Sequence, residues 1–141
     1  MNDIKLELAM QSDIPRILEI CRETRRDKIS KAAANKECFK ILHNGITVGV
    51  AIVHYYFFEN GFIDLIVIGD GYRRQGLGGA AVKKICGICR TKKLFTSTNA
   101  SNGPMRGLLE KLGFKFAGEV VGLDDGDPEL FYYKKLSEET I

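Results

Sequence analysis

Arg73-Arg74-Gln75-Gly76-Leu77-Gly78-Gly79 is the stretch whose residue types and spacing point most directly to chemistry. Two guanidinium side chains stand immediately before a glycine-rich run. An apolar run, Phe62-Ile63-Asp64-Leu65-Ile66-Val67-Ile68, lies ahead of it, and an amphipathic run from Leu77 to about Arg90 lies behind it. The order is strand, glycine-rich basic turn, helix, and that order suits an anion. The first turn of a helix has N–H groups without intrahelical partners, and the helix dipole adds partial positive charge there. Glycines let a phosphate approach the backbone, and Arg73 and Arg74 add two full charges beside the opening. The expectation is a pyrophosphate seat.

Three phosphate-binding patterns compete for this stretch. A Walker A loop needs a Lys and a hydroxyl after its last glycine, but Gly79 is followed by Ala80-Ala81-Val82. A Rossmann turn needs G-x-G-x-x-G/A directly after a strand. Gly76-Leu77-Gly78-Gly79-Ala80-Ala81 satisfies the letters, yet seven residues separate Ile68 from Gly76, so the turn is not tight. An acidic residue closing a second parallel strand is also missing. The third pattern, Q/R-x-x-G-x-G/A, is met by Arg73-Arg74-Gln75-Gly76-Leu77-Gly78, with Tyr72 leading in. This resembles the acetyl-CoA loop of the GNAT N-acetyltransferases. The resemblance implies that the backbone from Arg73 through Gln75 and Gly76 to Leu77, Gly78 and Gly79 holds the CoA pyrophosphate.

The elements that must position this loop follow from periodicity. Ile4, Leu6 and Leu8 alternate with polar residues, which predicts a short strand. Ser12 suits a helix cap, Pro15 its first turn, and Ile14, Ile17, Leu18 and Cys21 one buried helical face. Arg22 to Lys36 is polar and charged and reads as a second short helix or a mobile loop. Strands are expected at Cys38–His43, Ile46–Tyr56 and Phe62–Ile68, with turns at Asn44-Gly45 and Asn60-Gly61. After the loop's helix come a short strand over Leu94–Ser97 and a helix opening at Asn102-Gly103-Pro104. Met105, Leu108, Leu109 and Leu112 form that helix's apolar face, and Gly113 ends it. Phe114–Val121 and Leu130–Lys135 read as strands joined through Asp124-Asp125-Gly126-Asp127-Pro128.

The resulting order is β-α-(α)-β-β-β-α-β-α-β-β, an α/β fold with a mixed sheet flanked by helices. It is similar to the GNAT arrangement over essentially the whole chain, so one N-acetyltransferase domain over residues 1–141 is expected. Asn102-Gly103-Pro104-Met105-Arg106-Gly107-Leu108-Leu109-Glu110-Lys111-Leu112-Gly113-Phe114 resembles a second family segment, N-x-x-A-x-x-L-Y-E-K-L-G-F. With it, the resemblance implies acetyl-CoA as co-substrate, a cofactor contact at Asn102, and pantetheine contacts from the backbone of Ile66, Val67 and Ile68. The family's tyrosine, its usual general acid, is replaced here by Leu109, so Tyr132, Tyr133 or a water must take that role. Leu109 also keeps a second reading open, a CoA- or dinucleotide-binding regulatory module without turnover.

Acetyl transfer to an amine requires polarisation of the thioester carbonyl and removal of a proton from the amine. Asp64 is the one charged residue inside an otherwise apolar strand, on the strand where many family members carry a glutamate. It is the expected base if strand alternation points it at the acceptor. His43 and His54 lie near strand ends and read as surface residues. Asp124, Asp125, Asp127 and Glu129 make an acidic turn, which would attract a cationic amine if it borders the acceptor site.

Composition bounds the rest. The chain has 141 residues, 45% of them hydrophobic, enough for a core, and a net charge of +3 without a long Lys/Arg stripe, which argues against nucleic acid. No apolar run has membrane-spanning length and Met1-Asn2-Asp3-Ile4-Lys5 lacks a signal-peptide core, so a cytoplasmic protein is expected. Cys21, Cys38, Cys86 and Cys89 read as free thiols, since Cys86-Gly87-Ile88-Cys89 falls inside a helix rather than at its start, and no metal site is expected. The expected partner is a small-molecule or protein amine, bound by a monomer or homodimer.

Overall fold

In the computed structural model, residues 3–22 and 25–136 are described. Strands β1 (Ile4–Leu8), β2 (Cys38–His43), β3 (Ile46–Phe57), β4 (Asn60–Ile68), β5 (Lys93–Asn99), β6 (Lys115–Val120) and β7 (Glu129–Lys135) alternate with four helices. The helices are α1 (Ile14–Cys21), α2 (Arg26–Ala34), α3 (Leu77–Ile88) and α4 (Gly103–Lys111). The strands form one seven-stranded sheet in the order β1-β2-β3-β4-β5-β7-β6. It is mixed, as expected: β4 and β5 run parallel, whereas β1–β2, β2–β3, β5–β7 and β6–β7 are antiparallel. By packing, the chain divides into two compact units, residues 1–54 with 64–88 and residues 55–63 with 89–141.

In the first unit, α1 follows a 3-10 turn at Gln11–Asp13, where the Asp13 carboxylate accepts the Met10 N–H at 2.8 Å. Its buried face is Ile14, Ile17 and Cys21, and a left-handed Arg22 (φ 51°) ends it. Full burial of a side chain such as Ile17 contributes about 1.5–3 kcal/mol. The polar stretch after Arg22 resolves into α2, whose fully buried residues are Ile29 and Ala32. Glu23 and Thr24 of that stretch lie outside the described residues. Both helices pack on a core that includes Cys38, Val50, Ile52 and Leu65.

The end of β4 is held by two close approaches. The β2–β3 register steps from Ile41↔Gly49 to Leu42↔Thr47, leaving Val48 as a bulge, and the Val48 carbonyl accepts the Gly69 N–H at 2.8 Å. A Cβ on Gly49 would strike the Val67 carbonyl, and one on Gly69 would lie 2.6 Å from Ile20 Cγ2 and 2.8 Å from the Ile20 carbonyl. These glycines are required because backbone from β3 and α1 sits directly on the strand end.

In the second unit, Leu94, Thr96 and Thr98 of β5 are buried in alternation, with Leu109, Phe114, Leu130 and Tyr132. The rings of Phe57, Phe62, Phe95 and Phe131 stack together, with Phe57 4.7 Å from Phe62 and 5.1 Å from Phe95. One expected turn is displaced. Asn44-Gly45 forms its turn (φ 53° and 81°), but the next hairpin turns at Phe58 and Glu59 (φ 50° and 66°), and Asn60-Gly61 opens β4. Gly61 is used for space instead, since its Cβ would lie 2.7 Å from Cys89 Sγ. Its N–H donates to Thr91 Oγ1 at 2.9 Å.

Candidate active site

The expected loop leaves β4 through Gly69 and makes a 3-10 turn at Asp70–Tyr72 before α3 begins at Leu77. Arg73 is a brace of this loop. Its Nε donates to the Ile68 carbonyl at 2.8 Å, and its guanidinium lies 3.1 Å from Asp70 Oδ1, while Arg22 holds Asp70 Oδ2 at 3.2 Å. Arg74 is exposed, has a left-handed backbone (φ 64°), and makes no ion pair among the described residues. Gly76 is left-handed as well (φ 75°). These two left-handed positions bend the chain between the 3-10 turn and the start of α3.

At the start of α3 the Ala80 N–H donates to the Gly76 carbonyl at 3.1 Å. The N–H groups of Leu77, Gly78 and Gly79 precede that first bond and have no intrahelical acceptor. The first turn carries no acidic residue that would repel an anion there. Leu77 is buried and anchors the turn, whereas Gly78 and Gly79 are half-buried. These residues fit a pyrophosphate. Ile66, Val67 and Ile68, at the end of β4, are half-buried although apolar.

Asp64 lies two residues before Ile66 on the same face of β4. Its side chain is half-buried, and Lys28 Nζ of α2 donates to Oδ1 at 3.2 Å, with both side chains 34% exposed. His54 belongs to the same electrostatic neighbourhood. It is only 7% exposed, and burial lowers its pKa against the opposing charges of Asp64 and Glu37. The expected surface position of His54 is therefore corrected. β3 is buried continuously from Val48 to His54, so alternation carried no signal there. His43 is half-buried beside Asn44 (3.4 Å).

The remaining candidates lie in the second unit. Asn102 Oδ1 accepts the Met105 N–H at 3.2 Å, so this side chain caps α4. Leu109, in the tyrosine position of the family segment, is 0% exposed. Leu109→Tyr should therefore overpack this core and lower stability by about 1–3 kcal/mol without raising turnover, measurable by denaturant unfolding. Tyr132 is 2% exposed and its hydroxyl lies 3.4 Å from Arg106 Nε. Tyr133 stacks on Phe95 at 5.7 Å. In the acidic turn Asp127 accepts from Ser101 N–H and Oγ at 3.0 and 2.6 Å, and Asp124 from Asn99 at 2.9 Å. Those two carboxylates tie the turn to the end of β5, and Asp125 remains exposed.

All four cysteines are free thiols. Burial, with the nearby Asp13 charge, pushes the Cys38 thiol up to about 11, so it stays protonated and inert. Among the described residues no group of three or more His, Cys, Asp or Glu side chains could hold a metal ion, and no helix is long and apolar enough to cross a membrane.

Comparison with known proteins gives the family and the fold. The acetyltransferase (GNAT) family matches residues 7–114. The chain belongs to that family and is an acetyl-CoA-dependent N-acetyltransferase, with acetyl-CoA as its co-substrate. Among solved structures it is similar to a GNAT-family acetyltransferase from Bacillus cereus ATCC 10987, at 28% identity and a TM-score of 0.85, over 94% of this chain and 96% of that one. An N-acetyltransferase from Staphylococcus aureus Mu50 shares the fold at 21% identity and a TM-score of 0.75, over 96% and 99% of the two chains. The protein yncA from Salmonella typhimurium, solved with its cofactor acetyl-CoA, shares it at 16% identity and a TM-score of 0.77, over 99% and 97%. No curated protein matches the sequence.

Proposed function

We propose that this chain transfers the acetyl group of acetyl-CoA to a primary amine of a small molecule or protein, with Asp64 as the general base. The observation that carries the proposal is a half-buried carboxylate already holding a primary ammonium, on the strand that leads into the anion seat. The backbone of Ile66, Val67 and Ile68 pairs with the pantetheine arm, and one of its N–H groups polarises the thioester carbonyl. The N–H groups from Arg74 to Gly79 hold the pyrophosphate, Arg73 keeps the loop against the strand end, and Asn102 completes the cofactor contacts.

The acceptor amine arrives protonated, since a lysine-like amine has a pKa of about 10.4. Asp64 takes that proton directly or through one water, and the amine attacks the thioester carbon. The carbon–sulfur bond breaks, the nitrogen releases its second proton to solvent, and the first returns to the departing thiolate through solvent. Leu109 supplies no hydroxyl, and the Tyr132 hydroxyl sits beside Arg106, so Tyr133 or a water donates the proton.

The test is thiol release from acetyl-CoA in the presence of a polyamine, an aminoglycoside, an amino acid and a lysine peptide. At least one cationic primary amine should raise release above background hydrolysis in proportion to its concentration. Hydrolysis alone with every acceptor would remove the amine-transfer reading.

A further inference from the structure

The ion pair between Lys28 and Asp64 has a chemical consequence. Lys28 is a primary amine, the group the enzyme acetylates, and it is held at 3.2 Å by the carboxylate assigned to deprotonate the acceptor. We propose that Lys28 is a self-acetylation site. The inference rests on the role given to Asp64 above.

Three features of the first unit support it. Lys28 stands in α2 beside Ile29, which is 0% exposed, so its backbone is anchored while its four-carbon stem stays mobile. Its side chain is one-third exposed and therefore open to a second molecule. Asp64 and Ile66 share a face of β4, about 7 Å apart at the rise of a strand. The ammonium thus waits within a side chain's reach of the backbone that receives the pantetheine arm.

The reaction balances with acetyl-CoA alone. Lys28 gives a proton to Asp64, and its neutral Nζ attacks the thioester carbon. The new C–N bond replaces the C–S bond, the nitrogen releases its second proton to solvent, CoA leaves as the thiolate, and the first proton passes from Asp64 to the sulfur through solvent. The product is a neutral amide at Lys28. It no longer pairs with Asp64, which is then open to an external amine.

The experiment is incubation of the intact protein with acetyl-CoA and no acceptor, followed by intact mass and peptide mapping over time. One acetyl group should enter at Lys28 at least tenfold faster than at Lys31, which is exposed on the same helix. The rate should not depend on protein concentration, because the step is intramolecular. Lys28→Arg should block it, and Asp64→Asn should slow it at least tenfold while the protein still melts cooperatively and binds acetyl-CoA. Asp64→Glu, which keeps a carboxylate, should restore part of the rate. An unmodified Lys28, a rate equal to that of Lys31, or a rate proportional to protein concentration would each overturn the proposal. If Asp64→Asn loses turnover on an external amine while Lys28 stays unmodified in the parent protein, only the self-acetylation is wrong. Parent-like turnover in Asp64→Asn would instead remove the assigned base.

Discussion

Asp64→Asn should lower the turnover number by about 10²–10⁴-fold, the usual contribution of a positioned general base. Affinity for acetyl-CoA should stay nearly unchanged, because the proposed anion seat uses backbone of the loop and α3 rather than the Asp64 carboxylate. The substitution also ends the ion pair with Lys28, but a pair one-third exposed is worth about 0–1 kcal/mol, too little to unfold the chain. Turnover against pH decides the matter. The acidic limb of the parent enzyme should disappear or move in Asp64→Asn. A limb that survives there and vanishes in His54→Gln would transfer the role to the buried histidine of β3.

His54 also sets the range in which that profile can be read. Burial holds its folded pKa below the ordinary value of 6.5, so below that value the unfolded chain binds a proton that the folded one resists. The stability linked to His54 is therefore present above about pH 6.5 and is lost as pH falls through the folded value. Rates in acid must be paired with melting temperatures.

Gly78→Glu should abolish stabilisation by CoA and acetyl-CoA. Ligand at about 100 times its dissociation constant adds roughly 2.7 kcal/mol to a protein that binds it only when folded. A carboxylate in the first turn of α3 would put negative charge and side-chain bulk where the pyrophosphate must sit. The variant should remain folded, since acidic residues are favourable in the first turn of a helix. Thermal shift with CoA, acetyl-CoA and NAD is the measurement. CoA and acetyl-CoA should shift the parent protein and NAD should not. A CoA shift that survives in Gly78→Glu would move the pyrophosphate away from this helix start.

Much of this was legible from residue order, because some physics is local. Asn44-Gly45 turns where it does because both residues tolerate a positive φ, whatever surrounds them. α1 is written in the spacing of Ile14, Ile17 and Cys21, and the loop in its glycines and its place between an apolar run and an amphipathic one. The family segment from Asn102 to Phe114 likewise announced α4 and the residue that departs from the pattern, Leu109.

Other assignments waited for packing. Asn60-Gly61 has the letters of a turn, but Gly61 was needed where Cys89 and Leu94 crowd the strand, so the turn moved to Phe58 and Glu59. His54 sits at the end of a run buried on both faces, where alternation is silent. Arg73 carries a charge suited to phosphate, yet its nearest acceptors are the Ile68 carbonyl and Asp70. Asp64 and Lys28 stand 36 positions apart in the chain. The sequence by itself determined the family, the order of elements and the loop between β4 and α3, because each rests on neighbours within a few residues. The environment of Asp64, and the Lys28 ammonium that meets it, were decided by tertiary structure, because α2 and β4 meet only when the chain has folded.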